Sequence, residues 1–225
     1  MARRVRLMKI FGGLGIGVVA VSVLTLVGCV RSSGGTWYID EAPLPDGWPA
    51  LTPVDSVEIR AYPAYREAVV SEDDAGRGQG RMFGSLFRHI SDNDIPMTAP
   101  VAMTYESSHG SSDESSRRDA ESERMTAMAF LYRSPDLGPL GGDGLVRVED
   151  IPPQAYASTG VRGAYSDAHF AEGLARVRAW LGAQSAWGSD GPPRYLGYNS
   201  PFVPWFCRYG EVQVPVVRND EPTDD

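Results

Sequence analysis

Three histidines are the only imidazoles in this chain, His89, His109 and His169. His89 has the most promising surroundings. It closes the run Arg81-Met82-Phe83-Gly84-Ser85-Leu86-Phe87-Arg88-His89-Ile90, in which Met82, Ser85, Leu86 and His89 recur at i, i+3, i+4 and i+7 and so share one flank of a helix. Phe83, Phe87 and Ile90 lie toward the other flank. A neutral imidazole there can coordinate a metal through one nitrogen while the other keeps a supporting partner. Arg81 and Arg88 could hold carboxylates bidentately from the same helix. The plain alternative for His89 is an exposed helix residue without chemistry. His109 falls in a polar stretch, and His169 in the first turn of a second helix, where it can simply face water.

Other reaction classes have no foothold. There is no Ser-His-Asp spacing, zinc pattern, Gly-rich phosphate loop or Walker lysine. Lys9 is the only lysine. It sits in a targeting segment, so its removal would leave no amine for Schiff-base or phosphate chemistry.

That segment is residues 1–28, where Arg3, Arg4, Arg6 and Lys9 precede an apolar run with many small residues. Leu26-Val27-Gly28-Cys29 resembles a bacterial lipoprotein box, which implies cleavage before Cys29, its acylation, and a lipid-anchored protein of the cell envelope facing out of the cytoplasm. An uncleaved membrane-spanning anchor is the alternative. Without the four basic residues of the segment, 17 basic residues remain against 29 acidic ones, a net charge of −12, and nucleic acid is an unfavourable partner. Lipidation of Cys29 would also leave Cys207 alone, without an intrachain disulfide, most simply as a small core or edge residue.

The 225 residues suffice for one domain with a real core. Residues 29–53 read as the lipidated cysteine and an extended, proline-rich tether and arm lying on the surface. Residues 54–217 read as one domain, interrupted by a polar, disordered insertion at 106–124. An acidic tail, 218–225, follows. Within the domain, Val57 to Tyr62 and Tyr65 to Val70 alternate like a strand bent at Pro63. Val146 to Ile151 and Ala155 to Val161 repeat that design around Pro152-Pro153. Each bent strand leads to a helix, the second one capped by Ser166 or Asp167 with Phe170, Leu174, Val177 and Leu181 as its apolar stripe. Each helix leads to a strand pair: Met97 to Tyr105 with Thr126 to Tyr132, and Tyr195 to Asn199 with Glu211 to Val217.

Asn93-Asp94-Ile95-Pro96-Met97-Thr98-Ala99-Pro100-Val101 after the first helix, and Tyr198-Asn199-Ser200-Pro201-Phe202-Val203-Pro204-Trp205-Phe206 with Glu211-Val212 near the end, resemble the signatures of the SOUL haem-binding protein family. That resemblance implies an α+β fold, a distorted antiparallel β-barrel of about eight strands flanked by two helices and built from two pseudo-repeated strand-helix-strand-strand halves. It implies non-enzymatic binding of haem, a related tetrapyrrole or another hydrophobic small molecule in an apolar groove on the first helix. The ligand-binding residues would be Arg81, Met82, Ser85, Leu86, Arg88 and His89, with His89 a possible axial ligand, although the family groove is thought to need none. Asp94 replaces a lysine common in the family and would not welcome propionates. This departure motivates the alternative, an envelope structural or interaction lipoprotein that keeps the fold but not haem. Met97 to Val101 reads as framework. The aromatic segment from Tyr195 to Tyr209 reads either as core or as the wall of a flat ligand.

Overall fold

The computed structural model describes residues 30–76, 78–107 and 123–219. The targeting segment, Cys29, most of the insertion including His109, and most of the acidic tail lie outside the described residues.

The fold is α+β, with a large antiparallel sheet and three helices. The strands are β1 (Val30–Ser33), β2 (Thr36–Ile39), β3 (Val57–Tyr62), β4 (Tyr65–Ser71), β5 (Val101–Ser107), β6 (Glu123–Leu131), β7 (Gly141–Asp143), β8 (Val146–Ile151), β9 (Gln154–Arg162), β10 (Trp187–Ser189), β11 (Arg194–Gly197) and β12 (Tyr209–Arg218). The helices are α1 (Glu72–Ala75), α2 (Gln79–Asp92) and α3 (Asp167–Gly182). β1 and β2 pair with each other, so part of the stretch expected as a plain tether is a hairpin.

The other ten strands form one sheet in the order β3-β9-β12-β11-β5-β6-β4-β8-β7, with β10 on β12. Its pairing runs between two ends and does not close into the expected barrel. The prolines explain the opening. Pro63 and Pro152-Pro153 carry no N–H, so each bent strand is cut into two ladder segments, β3 on β9 and β4 on β8. The register nevertheless carries across both bends, because Tyr62 pairs with Gln154 and Tyr65 with Ile151.

Alternation separates two faces. On one, Met82, Leu86 and Ile90 of α2 and Phe170, Leu174 and Val177 of α3 pack on Val70, Met103, Tyr105, Met128, Phe130, Tyr195, Val212 and Val214. Ser166 caps α3 by accepting from the His169 amide at 3.3 Å, and Gly173 lets the helix approach the sheet, since a Cβ there would meet Val212 at 2.6 Å. The opposite face carries Tyr38, Leu51, Tyr65, Leu131, Leu196, Tyr198 and Tyr209. The proline-rich arm does not merely lie on the surface: Leu51 and Thr52 are fully buried against this face.

Candidate functional site

The geometry of α2 decides what the first candidate site can do. Met82 and Leu86 are wholly buried in the core, as a helix with one apolar stripe requires. His89 is also buried, its Nε2 2.8 Å from the Tyr132 hydroxyl and its Nδ1 3.5 Å from Asn93 Nδ2. Burial pushes the Tyr132 phenol up to about 12, so it remains a neutral partner. Ser85 is partly buried, while Arg81 and Arg88 are exposed. The flank expected to face a groove is therefore mostly turned into the core, and both imidazole nitrogens of His89 lie beside protein partners, Tyr132 and Asn93.

The apolar surface that α2 leaves open is the other flank. Phe83 is 39% and Phe87 52% exposed, their rings stacked at 6.2 Å between centroids, with Phe83 braced edge-on by Phe130 at 5.1 Å. Beside them lie Gly80 and Gly84, and an added Cβ on either would meet nothing within 4 Å. Going round the helix at about 100° per residue, the order is Phe83, Phe87, Gly80, Gly84, Arg88, Arg81. A smooth aromatic strip thus passes into a cationic border.

A second constellation occupies the sheet face opposite the helices. The Glu211 carboxyl group is wholly buried and accepts from five donors. Oε1 receives the Thr52 amide at 2.6 Å and the Tyr209 hydroxyl at 2.9 Å; Oε2 receives the hydroxyls of Tyr62 at 3.2 Å and Tyr198 at 3.0 Å and Gln213 Nε2 at 2.9 Å. Burial and the neighbouring Glu211 hold Tyr62, Tyr198 and Tyr209 well above the usual tyrosine range, so they stay protonated donors. Arg194 lies farther along this face. Its burial would lower the guanidinium, but Tyr65, Tyr156 and Tyr62 outweigh that, and the net direction is upward. The partly buried Glu67 is pushed up to about 7 by desolvation.

This polar interior escaped the sequence reading because Glu211 and Gln213 alternate with Val212 and Val214, the usual sign of an outward polar face. The signal was the density of tyrosines at the same parity, Tyr62, Tyr65, Tyr198 and Tyr209, able to satisfy polar groups turned inward. The aromatic segment itself divides. Tyr195, Tyr198 and Tyr209 are core, whereas Phe202, Trp205 and Phe206 are exposed. In the framework segment, the Thr98 hydroxyl donates to the Leu131 carbonyl and Pro100 is buried, while Asp94 is exposed at a left-handed backbone position with φ of 54°. His169 Nδ1 lies 2.8 Å from the Ala164 carbonyl, tying the start of α3 to the preceding turn. Cys207 is a free thiol.

Two cavities bordered by described residues measure about 290 and 240 Å³. Both are smaller than the roughly 300–1,000 Å³ that drug-sized ligands occupy. Neither is large enough to enclose a tetrapyrrole.

No curated protein matches this chain. Among solved structures, the EcmrR C-terminal domain is similar with TM-score 0.51 and 12% identity, over 73% of this chain and 98% of that one. The EcmrR chain of a DNA complex gives 0.53 and 12%, over 73% of this chain and 58% of that one. A hydrolase from Listeria innocua gives 0.51 and 11%, over 74% and 94%. At such identities the likeness concerns the fold alone. The sequence itself matches the family described as SOUL heme-binding protein over residues 49–215, and the chain belongs to that family.

Proposed function

We propose that this protein is a non-enzymatic binder of haem or a related tetrapyrrole, held on the outer flank of α2. The observation that carries the reading is the half-exposed Phe83/Phe87 pair continued by Gly80 and Gly84 and bordered by Arg88 and Arg81. In a chain of this family, such a strip offers what an amphipathic plate needs: aromatic contact for the ring and cations for its propionates. When bound, the ligand would supply a redox-active, light-absorbing iron or a free tetrapyrrole to be carried. The chain's own part is to bind and orient it. Met82, Leu86 and Ser85 support the strip from below, and His89 stays with Tyr132.

The reading includes a lipid anchor at Cys29 that holds the domain at the bacterial envelope, and no role with nucleic acid, for which the acidic chain is poorly suited. We also read the sheet as barrel-like and duplicated. The shift-free register across both proline bends supports the first. The second is supported by a strand order from β3 to β8 that maps onto itself when β3, β4, β5 and β6 exchange with β8, β9, β11 and β12.

Hemin titration of protein lacking residues 1–29, followed at the Soret band, tests the ligand. Saturable one-to-one binding is expected, weakened about tenfold or more by Gly84→Leu, whose side chain would roughen the strip. Weak, non-saturating uptake would sink this reading and leave the structural or interaction lipoprotein, which the engagement of His89 and the exposed Asp94 would then favour.

A further inference from the structure

The cavity of about 240 Å³ on the polar sheet face contains a charge that the protein does not fully satisfy. Arg194, 6% exposed, lines it together with Glu67, Thr104, Gln154, Tyr156 and Asp190. Its Nε donates to Gln213 Oε1 at 2.9 Å and its Nη1 to the Tyr65 hydroxyl at 2.7 Å. The guanidinium carbon lies 3.8 Å from the centre of the Tyr156 ring. Nη2 is buried and has no hydrogen-bond partner among the described residues. Buried donors are nearly always paired, and one on a cation is costly to leave unmatched. Both of the groups that do accept from Arg194 are neutral. The missing partner is an acceptor oxygen, and beside a cation an anionic one binds most strongly.

The other residues narrow the anion. Glu67 and Asp190 border the same cavity, so a phosphate dianion would meet more repulsion than a monoanion. Tyr156, Pro192 and Pro215 add apolar wall for a short carbon chain. The volume admits only a few heavy atoms beyond the charged group. We propose that this cavity binds a small monocarboxylate, its oxygen accepting from Arg194 Nη2 and its alkyl part lying against Tyr156 and the two prolines. This site is separate from the α2 strip and does not depend on the tetrapyrrole reading.

The test uses full-length protein in detergent, titrated with 13C-labelled acetate and propionate and observed by NMR, with acetamide and inorganic phosphate as controls. Acetate and propionate are expected to show saturable line broadening, and acetamide none. Arg194→Lys should weaken acetate about tenfold or more, because the planar donor fork is lost. At pH 8, above the Glu67 titration, Glu67→Gln keeps the volume, removes a neighbouring carboxylate, and should tighten acetate severalfold. An equal response to acetate and acetamide would mean that ordered water satisfies Nη2 and would overturn the proposal. So would a preference for phosphate, or acetate binding unchanged by Arg194→Lys. Should Arg194 variants fail to fold, unchanged or weaker acetate binding in Glu67→Gln overturns it alone. Hemin absorbance in the same samples should not respond to acetate, which separates failure here from failure at α2.

Discussion

At the scale of single residues, the interior of this protein is decided by polar groups whose partners are other side chains. Glu211 gathers five donors with no exposure to solvent, so Glu211→Ala would strand them together; a loss above about 3 kcal/mol in chemical denaturation is expected. Glu67 acts in the opposite sense. Its pKa is raised from 4.5 to about 7 by desolvation, so the folded state holds the proton more tightly than the unfolded chain. Its contribution is fully present below pH 4.5 and is lost as pH rises through about 7. Urea midpoints measured across that window should fall with pH in the wild type and less so in Glu67→Gln. His89 would lose its Tyr132 bond in His89→Ala, at a cost of about 1–3 kcal/mol. The Soret spectrum of the hemin complex should stay unchanged, whereas loss of a low-spin spectrum would show that His89 binds iron.

At the scale of elements, the helices were the most legible part of the sequence, and α2 shows where legibility ended. The 3.6-residue period located α2 and α3 but not the four-residue α1, and of the two caps expected, Ser166 and Asp167, it is Ser166 that caps α3. Which flank of α2 stays open was not readable, because Met82, Phe83, Leu86, Phe87 and Ile90 form an apolar arc wider than the sheet can cover. Only packing shows that Met82, Leu86 and Ile90 take the covered part. The glycines carry a separate consequence. Gly84 lies inside a helix with open space around it, so Gly84→Ala should raise stability by about 0.5–1 kcal/mol, read as a higher denaturation midpoint. A drop instead would mean that the helix is not formed there in solution.

At the scale of the whole molecule, the strands on either side of each proline were legible from alternation, and so were the pairs β5 with β6 and β11 with β12, whereas the partners of the bent strands were not legible. Antiparallel partners far apart in sequence, such as β5 on β11, depend on contacts no local pattern encodes. The polar face stayed hidden for a related reason. Alternation tells that two faces differ, and only the closing of the arm over Glu211, through the Thr52 amide, decides that the polar one is buried. The arm is consequently part of the core, with Tyr38, Leu51 and Thr52 buried against the sheet. The family assignment leaves one question above the others, whether a tetrapyrrole rests on the strip that α2 leaves open. Comparing hemin affinity at the Soret band between wild type and the Phe83→Ala/Phe87→Ala double variant answers it. Saturable one-to-one binding that weakens about tenfold or more in the variant is the expected result, and equal affinity for both proteins would contradict it.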